Sequence, residues 1–324
     1  MDKMNWKGMD VLVTGADGFI GSHIAKDLDE KGAEVVTIVR DIKKSSNIDV
    51  LGLRDKITVV PGDLVNYADC ERVINEYGVQ FCFHIAAQAI VGPANRSPSS
   101  TFESNIKGTW NILEASRLSK TIKGLIIASS DKAYGQQKQL PYTEDSPLNG
   151  YFPYDASKAC AEIIARCYFM TYNLPLAITR NANTYGPADM NMSRIIPDVI
   201  TRILKNEQPV IRSDGTPERD YMYIKDAVNA YITLAENLHR KEVLGQAFNF
   251  GTGKPISVLD LYKKIIKLMG KDVEPKILGE AKNEIDKQYL SVKKAKEILD
   301  WGPKFTIDQG LKETVEWYKT NIKK

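Results

Sequence analysis

Cysteine and histidine, the residues that build most metal centres and disulfide frameworks, are scarce in this chain. Its 324 residues include four cysteines and three histidines, and the cysteines show no CxxC spacing. We therefore expect neither a structural metal nor a disulfide framework. Cys160 and Cys167 lie seven residues apart in a helical pattern, and we predict that both pack in the core.

Long apolar runs and blocks of one charge are also absent. No apolar stretch approaches the roughly 20 residues needed to span a bilayer, and residues 1–10 contain no apolar signal core. The 44 Lys and Arg nearly balance the 41 Asp and Glu, and the net charge of +3 is spread without a basic run. We expect a cytoplasmic protein without a nucleic-acid or membrane partner.

Short β-type runs alternate with helical patterns through most of residues 1–250. Most of the strand segments are apolar without alternation, as in parallel strands that are buried on both faces. The predicted strands are 9–14, 34–39, 57–61, 81–85, 124–129, 177–182 and 248–250, and the predicted helices are 22–31, 67–76, 101–118 and 156–172. This rhythm predicts an α/β protein with a doubly wound parallel sheet, a Rossmann fold.

The pattern loosens after Tyr185. Loops rich in Gly, Pro and charge are predicted around 186–193 and 212–220. From Ser257 onward we expect two helical stretches and a turn at Trp301-Gly-Pro.

We predict two unequal parts of the chain. Residues 1–184 form a dinucleotide-binding domain, and a strand near 246–252 returns to it. Residues 185–324 form mostly a smaller C-terminal lobe that binds substrate.

A glycine-rich turn follows the first predicted strand. It reads Gly15-Ala-Asp-Gly-Phe-Ile-Gly21, a G-x-x-G-x-x-G form placed between a strand and a helix. One glycine permits the tight turn, one lets the backbone approach a pyrophosphate, and one lets the helix pack closely, while the helix N-terminus faces the phosphates. We predict cofactor contacts from Gly15, Asp17, Gly18, Phe19, Ile20 and Gly21.

The end of the second predicted strand bears on the choice between NAD and NADP. A carboxylate that grips the ribose hydroxyls of NAD normally stands there, but Arg40 follows this strand instead. Lys43, Lys44 and Ser45 lie nearby in sequence. This set suits a 2′-phosphate, so we predict NADP in preference to NAD. Asp41 leaves NAD open, because it can pair with Arg40 or meet a ribose hydroxyl; a further alternative is that these are solvated loop charges.

Two more strand ends offer contacts to a dinucleotide. Asp63 and Leu64 follow the third predicted strand, and the Asp63 carboxylate is placed to accept from an adenine amino group. Ala86 and Ala87 follow the fourth and provide the small side chains that a cofactor wall requires. Open parallel sheets bind ligands at the C-terminal ends of their strands, so we predict that these residues contact the cofactor.

A candidate chemical site follows the fifth predicted strand. Tyr154-Asp-Ala-Ser-Lys158 begins a helix, and the four-residue gap places the phenol and the ammonium on one face. We expect the ammonium to favour phenolate, so that Tyr154 acts as a base while Lys158 also holds the nicotinamide ribose. Ser130, at the strand end, is expected beside Tyr154. The three side chains form a predicted hydride-transfer triad.

Longer motifs surround these residues. They are Thr14-Gly-Ala-Asp-Gly-Phe-Ile-Gly-Ser22, Phe83-His-Ile-Ala-Ala-Gln88, Asn105-Ile-Lys-Gly-Thr109, Arg180-Asn-Ala-Asn-Thr-Tyr-Gly-Pro187, Arg219-Asp-Tyr-Met-Tyr-Ile224 and Phe248-Asn-Phe-Gly-Thr-Gly253. Together with the tyrosine motif they resemble, over nearly the whole chain, the extended short-chain dehydrogenase/reductases that act on nucleotide sugars. The resemblance implies a nucleoside diphosphate hexose as substrate and cofactor contacts from Gln88 and Asn105.

Within that superfamily the two residues after Ser130 separate the reaction types. Epimerases generally carry small or neutral residues there, whereas sugar 4,6-dehydratases carry an acid followed by a second proton-transfer group. Asp131-Lys132 resembles the CDP-glucose type. The resemblance implies that Asp131 protonates the departing C6 hydroxyl and that Lys132 removes the C5 proton. The alternative is an exposed ion pair in a turn, and the Tyr134-Gly135 pair is shared with the epimerases.

These features order three functions. The first is a 4,6-dehydratase, in which C4 is oxidised transiently, water is lost across C5 and C6, and the hydride returns to C6. The second is a 4-epimerase of the UDP-glucose type. The third is a non-catalytic dinucleotide sensor, which needs only the glycine turn and has no use for Ser130, Tyr154 and Lys158.

The resemblance also implies how the nucleotide sugar is held. The expected contacts are Gln88, Ser130, Asn183, Arg194, Arg212 and Arg219. Forked guanidinium groups suit a diphosphate, and Arg219 is favoured for it, against a structural salt bridge with Asp220 or Asp226. The base stays open among CDP, GDP, UDP and dTDP. A homodimer is implied, through a four-helix bundle of the helices around 107–118 and 156–172.

Overall fold

The computed structural model describes residues 4–41, 46–280 and 285–322. Lys43, Lys44 and Ser45 lie outside the described residues. The strands are β1 (Asp10–Thr14), β2 (Glu34–Val39), β3 (Thr58–Pro61), β4 (Phe81–His84), β5 (Gly124–Ala128), β6 (Leu176–Asn181), β7 (Asn183–Tyr185), β8 (Val210–Ile211), β9 (Glu218–Tyr223), β10 (Ala247–Phe250), β11 (Pro255–Ser257), β12 (Lys276–Ile277) and β13 (Lys287–Gln288). The helices are α1 (Phe19–Glu30), α2 (Asn47–Val50), α3 (Tyr67–Glu76), α4 (Val91–Arg96), α5 (Pro98–Phe102), α6 (Gly108–Leu118), α7 (Pro153–Tyr172), α8 (Ile195–Leu204), α9 (Ile224–Glu236), α10 (Val258–Met269), α11 (Lys293–Leu299) and α12 (Ile307–Asn321).

A seven-stranded parallel sheet organises the molecule, in the order β10-β6-β5-β4-β1-β2-β3. Its strands are apolar and largely buried, because a hydrophobic core lies against each face. The predicted α/β doubly wound fold is confirmed. Strand order reverses beside β1, which pairs with both β2 and β4, and such a reversal opens a crevice at the C-terminal edge of the sheet.

The helix predicted over 101–118 is interrupted. Its first turns belong to α5, a π-helical turn occupies Glu103–Lys107, and α6 begins only at Gly108. The wide turn carries Asn105, which is 2% exposed and points its amide into the protein. A tertiary hydrogen-bond network therefore decides the backbone here, and helical periodicity cannot reveal it.

A smaller set of strands covers the C-terminal edge of the sheet. β9 pairs antiparallel with β11 and parallel with β7 and β13, while β8 pairs with β12. The loop predicted over 212–220 is wrong at its end, because residues 218–220 already belong to β9. Three helices follow Ser257 where two were predicted. The extra one, α11, is short and buries only Ala295 and Leu299, so its periodicity is weak.

The prediction that Cys160 and Cys167 pack in the core is wrong. Both are exposed on α7, with free thiols. Their spacing does place them on one face, but the buried face of this helix is formed by smaller residues such as Ala161 and Ala165. Ile163, 57% exposed, lies on the outer surface of the same helix.

Two features are absent from the residues that the structure describes. None of their helices is long and apolar enough to cross a membrane. No group of three or more histidine, cysteine, aspartate or glutamate side chains among them is arranged to hold a metal ion.

Candidate active site

A cleft of ≈ 680 Å³ lies between the C-terminal edge of the sheet and the covering strands. The predicted residues that line it are Ile20, Ala87, Ser130, Asp131, Lys132, Tyr154, Lys158, Asn183, Arg194, Arg212 and Arg219. Residues far apart in sequence therefore meet at one site. The predicted residues outside its lining are Gly15, Asp17, Gly18, Phe19, Gly21, Arg40, Asp63, Leu64, Ala86, Gln88 and Asn105.

The glycine turn between β1 and α1 tolerates no side chain at two positions. Gly15 has φ +74°, and a Cβ there would lie 2.9 Å from the backbone of Ala86. A Cβ on Gly21 would lie 2.2 Å from the Gly15 carbonyl oxygen. Gly18 caps α1 without any side-chain hydrogen bond, so backbone N–H groups of the first turn face outward. This arrangement suits a pyrophosphate at the helix N-terminus.

A buried chain of hydrogen bonds fixes the loop after β4, and the sequence gave no expectation of it. Thr14 Oγ1 accepts from the N–H groups of Ile85 and Ala86, at 3.1 Å each, and lies 2.9 Å from His84 Nδ1. His84 Nε2 lies 3.0 Å from the Thr109 hydroxyl. Burial, with Lys158 nearby, lowers the pKa of His84 to about 3, so the ring is neutral. The loop that walls the cleft is thus held by uncharged groups.

Asn105 clamps the same loop to α7. Its Oδ1 accepts from the N–H of Gln88 at 2.6 Å, and its Nδ2 donates to the Gln88 carbonyl and to Ser157 Oγ, at 3.2 and 2.8 Å. Both amide hydrogens of Asn105 are used within the protein. Asn105 therefore shapes the wall of the cleft, and Gln88 takes part through its backbone.

The end of the sheet at β2 and β3 carries the residues predicted for the adenosine half. Arg40 and Asp41 are both more than half exposed and form an ion pair of 2.9 Å. Asp63 Oδ1 accepts from the N–H of Val65 at 3.0 Å. The Leu64 carbonyl accepts from Asn111 at 2.8 Å, and α3 packs against α6 in this region. Asp17 is exposed in the glycine turn.

Tyr154, Ser130 and Lys158 meet in the cleft, but the electrostatics differ from the expectation. Burial raises the pKa of Tyr154 to about 12, and a hydrogen bond with Ser130 lowers it only in part. Lys158 Nζ donates to the Ala128 carbonyl at 2.7 Å, and burial lowers the pKa of Lys158 to about 8. The ammonium alone therefore does not favour phenolate, because loss of water around the phenol is the larger effect.

Asp131 and Lys132 form the opposite corner of the cleft. They lie on a 3₁₀ turn over Asp131–Tyr134, and Lys132 Nζ lies 3.0 Å from Asp131 Oδ2. The Asp131 side chain is 4% exposed and that of Lys132 is 23% exposed. Ser130 donates to Asp131 Oδ1 at 3.1 Å, which joins this corner to the triad. The pair is therefore not a solvated turn on the surface.

Two further residues of this corner were not found from the sequence. Gln288, from β13, accepts from Lys132 Nζ at 2.7 Å and donates to the Asp131 carbonyl at 2.9 Å. Burial raises the pKa of Asp155 to about 6, while Lys132 lowers it and Asp131 raises it. Asp155 lies within the tyrosine motif and was within reach of sequence reasoning. Gln288 was not, since only the pairing of β13 with β9 brings it to the cleft.

The three arginines differ in their surroundings. Arg194 pairs with Asp189 at 3.0 Å, and Arg212 is exposed in the lining of the cleft. Arg219 is 8% exposed and donates to the Glu218 carbonyl at 2.8 Å. The acids named as its alternative partners are bonded to backbone N–H groups, Asp220 to residues 252 and 253 and Asp226 to residues 304 and 305. Asn183 lies in β7 beside them, in the cleft lining.

Two buried polar side chains at the ends of β5 and β6 lack a hydrogen-bond partner among the described residues. They are Ser129 and Asn181, which are 7% and 6% exposed and belong to the cleft lining. An unsatisfied buried polar group costs about 1–3 kcal/mol. A ligand with its own donors and acceptors would stabilise this end of the cleft.

Comparison with known proteins places these observations among characterised enzymes. Residues 12–314 match the family profile described as GDP-mannose 4,6 dehydratase. The chain is 29% identical to CDP-glucose 4,6-dehydratase of Salmonella typhimurium over 338 residues, covering 100% of this chain and 94% of that protein.

Solved structures of two reaction types are similar to this chain. UDP-glucose 4-epimerase from Thermotoga maritima, with UDP-glucose, matches at a TM-score of 0.89 and 30% identity, covering 97% of this chain and 100% of that one. dTDP-glucose 4,6-dehydratase from Bacillus anthracis, in complex with NAD, matches at a TM-score of 0.84 and 31% identity, covering 97% and 98%. Overall similarity alone therefore does not separate dehydratase from epimerase.

Proposed function

Since the chain belongs to the family described as GDP-mannose 4,6 dehydratase, within the extended short-chain dehydrogenase/reductases, we propose that it is a nucleotide-sugar 4,6-dehydratase. It is an enzyme of the group of NAD-dependent nucleotide-sugar dehydratases and epimerases. The observation that carries the finer assignment is the Asp131–Lys132 pair, held in the cleft beside the Ser130 hydroxyl.

The cleft fits a nicotinamide dinucleotide. The turn at Gly15 and Gly21 leaves room for a pyrophosphate, and the unpaired amide of Asn181 lies at the far end, near Tyr154 and Lys158. When bound, the cofactor takes a hydride from C4 of the sugar and returns it to C6, so no net oxidation results.

The triad residues prepare C4 for oxidation. Tyr154 takes the proton of the C4 hydroxyl, and Ser130 donates to the same oxygen and orients it. In the chain alone Tyr154 is a neutral phenol, because burial raises its pKa to about 12. Positive charge from Lys158 and the cofactor is therefore needed beside the phenol, and Lys158 is protonated at neutral pH with a pKa lowered by burial to about 8.

The opposite corner carries out the elimination. Oxidation of C4 to a ketone acidifies the C5 proton, which the Lys132 amine removes, while Asp131 gives a proton to the departing C6 hydroxyl. The two side chains are 3.0 Å apart, so the proton gained by Lys132 can pass to Asp131 and restore both groups. An epimerase has no use for this pair.

The second candidate is a 4-epimerase, favoured by the Thermotoga maritima structure. The Tyr134-Gly135 pair shared with epimerases has a packing role here. Tyr134 is fully buried, accepts from Arg180 and donates to Asn249. Gly135 has φ +61°, and a Cβ there would lie 2.0 Å from the Asn149 carbonyl. This pair therefore does not favour either reaction, and a sensor function leaves the assembled triad without a purpose.

A nucleoside diphosphate hexose is the proposed substrate. Arg219, Arg194 and Arg212 line the side of the cleft opposite the triad, where cationic groups suit a diphosphate. The division into a cofactor domain over 1–184 and a substrate lobe over 185–324 remains our proposal.

The reaction is tested by incubating the purified protein with CDP-, GDP-, UDP- and dTDP-hexoses and following the products by mass spectrometry. Loss of one water from one of them supports the dehydratase. Unchanged mass with inverted C4 stereochemistry would establish the epimerase instead. The protein should need no added reductant.

For the cofactor, we propose NAD in place of the initially predicted NADP. Asp41 pairs with Arg40 and would repel a 2′-phosphate, and the Bacillus anthracis relative is in complex with NAD. Extraction of the bound nucleotide and its mass analysis decide the matter. Recovery of NADP would restore the initial interpretation of Arg40.

We propose that the chain forms a homodimer through a four-helix bundle of α6 and α7. Large apolar side chains are exposed on these two adjacent helices: Trp110 at 41%, Ile163 at 57% and Met170 at 76%. Ile163→Glu should give a monomer in light scattering at micromolar concentration. Ile277→Glu, at an apolar residue 49% exposed elsewhere, is the control and should leave the dimer intact. A monomeric parent protein would refute the proposal.

A further inference from the structure

Gln288 joins the C-terminal part of the chain to the chemical site. It is 1% exposed, and its Oε1 accepts from Lys132 Nζ at 2.7 Å while its Nε2 donates to the Asp131 carbonyl at 2.9 Å. β13, which carries it, pairs with β9 so that Gln288 lies opposite Arg219. One neutral side chain thus contacts both residues of the elimination corner from a remote element.

The orientation of this amide is fixed by its partners. A backbone carbonyl can only accept, so the Gln288 atom facing the Asp131 carbonyl must be the NH₂ group. The oxygen therefore faces Lys132. Ammonium and neutral amine both have N–H groups to donate to it, so this contact persists in either protonation state, and the lone pair of the neutral amine is left for another partner. A rotated amide would instead donate to that lone pair and block it.

The electrostatic surroundings show why a neutral partner matters. The titratable and charged groups around Lys132 are Asp131 on its own turn, Tyr154 and Asp155 on α7, and Arg219 and Asp220 on β9. Three of these are carboxyl groups that favour the ammonium form. A carboxylate at position 288 would add a fourth, whereas an amide holds the nitrogen without adding charge.

We propose that Gln288 is the positioning residue of the C5 base: it holds the Lys132 amine in the cleft and lets it lose its proton. This inference rests on the proposed dehydratase function, in which Lys132 must alternate between ammonium and amine. Gln288 acts through Lys132 and does not contact the reacting atoms itself. Because β13 also pairs with the strand of Arg219, the same segment connects the diphosphate side of the cleft to the base.

The experiment compares Gln288→Glu, Gln288→Met and the parent enzyme over a range of pH. The rate of water loss is measured by mass spectrometry, and substrate affinity is measured separately. In Gln288→Glu the acidic limb of the rate profile should move up by about one pH unit, because an opposite charge within about 4–6 Å typically shifts a titration by 1–3 units. Near-parent rates should return at high pH. Gln288→Met should lower the plateau about tenfold without an upward shift, since the amine loses its anchor.

The chain offers a matched control in Gln246. Its Oε1 also accepts from a lysine, Lys294 Nζ at 3.2 Å, and it precedes β10 at the opposite edge of the sheet. Gln246→Glu therefore introduces the same carboxylate beside a lysine outside the cleft and should leave the profile unchanged. An equal shift in Gln246→Glu would show a general charge effect and overturn the proposal.

A second measurement is independent of the reaction. The rate of Lys132 acetylation by acetic anhydride, followed by peptide mass spectrometry across pH, reports the fraction of neutral amine directly. Gln288→Glu should move this profile upward by about one unit as well. Unmoved acetylation and rate profiles would overturn the role of Gln288. A moved acetylation profile in a parent enzyme that releases no water would overturn only the dehydratase function.

Discussion

The two lysines of the cleft differ in how the protein holds their charge. Lys158 is 6% exposed, donates to one backbone carbonyl, and burial lowers its pKa to about 8. The Lys132 side chain is 23% exposed and contacts the Asp131 carboxylate and the Gln288 amide. The first environment disfavours a positive charge through loss of water, and the second supports it through a counter-ion.

The difference teaches that residue type does not set the role of a lysine in a shared cleft. Next to Lys158 the protein supplies no counter-ion of its own within hydrogen-bond reach in the described residues, so a negative charge on Tyr154 would stabilise its ammonium. Lys132 already has its acid, and the pair can exchange a proton. The first corner suits oxidation at C4 and the second suits elimination.

The largest expected effect breaks the oxidation corner. Tyr154→Phe should lower turnover by about 10,000-fold, because the C4 hydroxyl proton has no acceptor, while cofactor affinity changes little. Steady-state kinetics and cofactor titration measure the two. Tyr77→Phe, at a residue beyond the other edge of the sheet, should behave as the parent enzyme. Substantial activity in Tyr154→Phe would exclude the phenol as the base.

A smaller effect separates the two corners. Lys132→Ala should reduce water loss by about 100- to 1,000-fold, because C4 oxidation remains possible while C5 deprotonation does not. Reduced cofactor and a 4-keto sugar should then accumulate, visible in the absorbance of reduced nicotinamide, and exchange of the C5 proton in deuterated solvent should cease. Lys138→Ala, at an exposed lysine of the same loop, is the control. Near-normal turnover of Lys132→Ala would leave the epimerase in front.

The smallest expected effect concerns stability. The Lys158 pKa is about 8 in the folded chain against an ordinary 10.5, so the buried ammonium destabilises the fold below pH 8 by about 3 kcal/mol, and this penalty fades between pH 8 and 10.5. Lys158→Met loses a hydrogen bond worth about 1 kcal/mol and should still be about 2 kcal/mol more stable than the parent at pH 7.

Urea unfolding of the cofactor-free protein at pH 7 and at pH 10.5 measures this difference. The advantage of Lys158→Met should vanish at the higher pH. Lys263→Met, at an exposed lysine of α10, should give no pH-dependent difference. A Lys158→Met variant less stable than the parent at pH 7 would mean that the fold supplies a compensating charge.

Sequence reasoning predicted the sheet and much of the cleft because both depend on local patterns. Buried parallel strands are apolar runs, and strand ends of one sheet meet at one edge, so Ser130 and Tyr154 could be assigned together. Two predictions failed where periodicity was ambiguous. The spacing of Cys160 and Cys167 defines a common face of α7, but does not tell whether core or solvent lies against it.

The sequence by itself determined the fold class, the glycine turn and the residue types needed for chemistry, because each is encoded over a few neighbouring residues. Tertiary structure decided the electrostatics. Burial, which is a property of the whole fold, makes Tyr154 a neutral phenol in the free chain. Pairing of β13 with β9 brings Gln288 to Lys132 across 156 residues of sequence, and a contact at that separation leaves no signal in either segment.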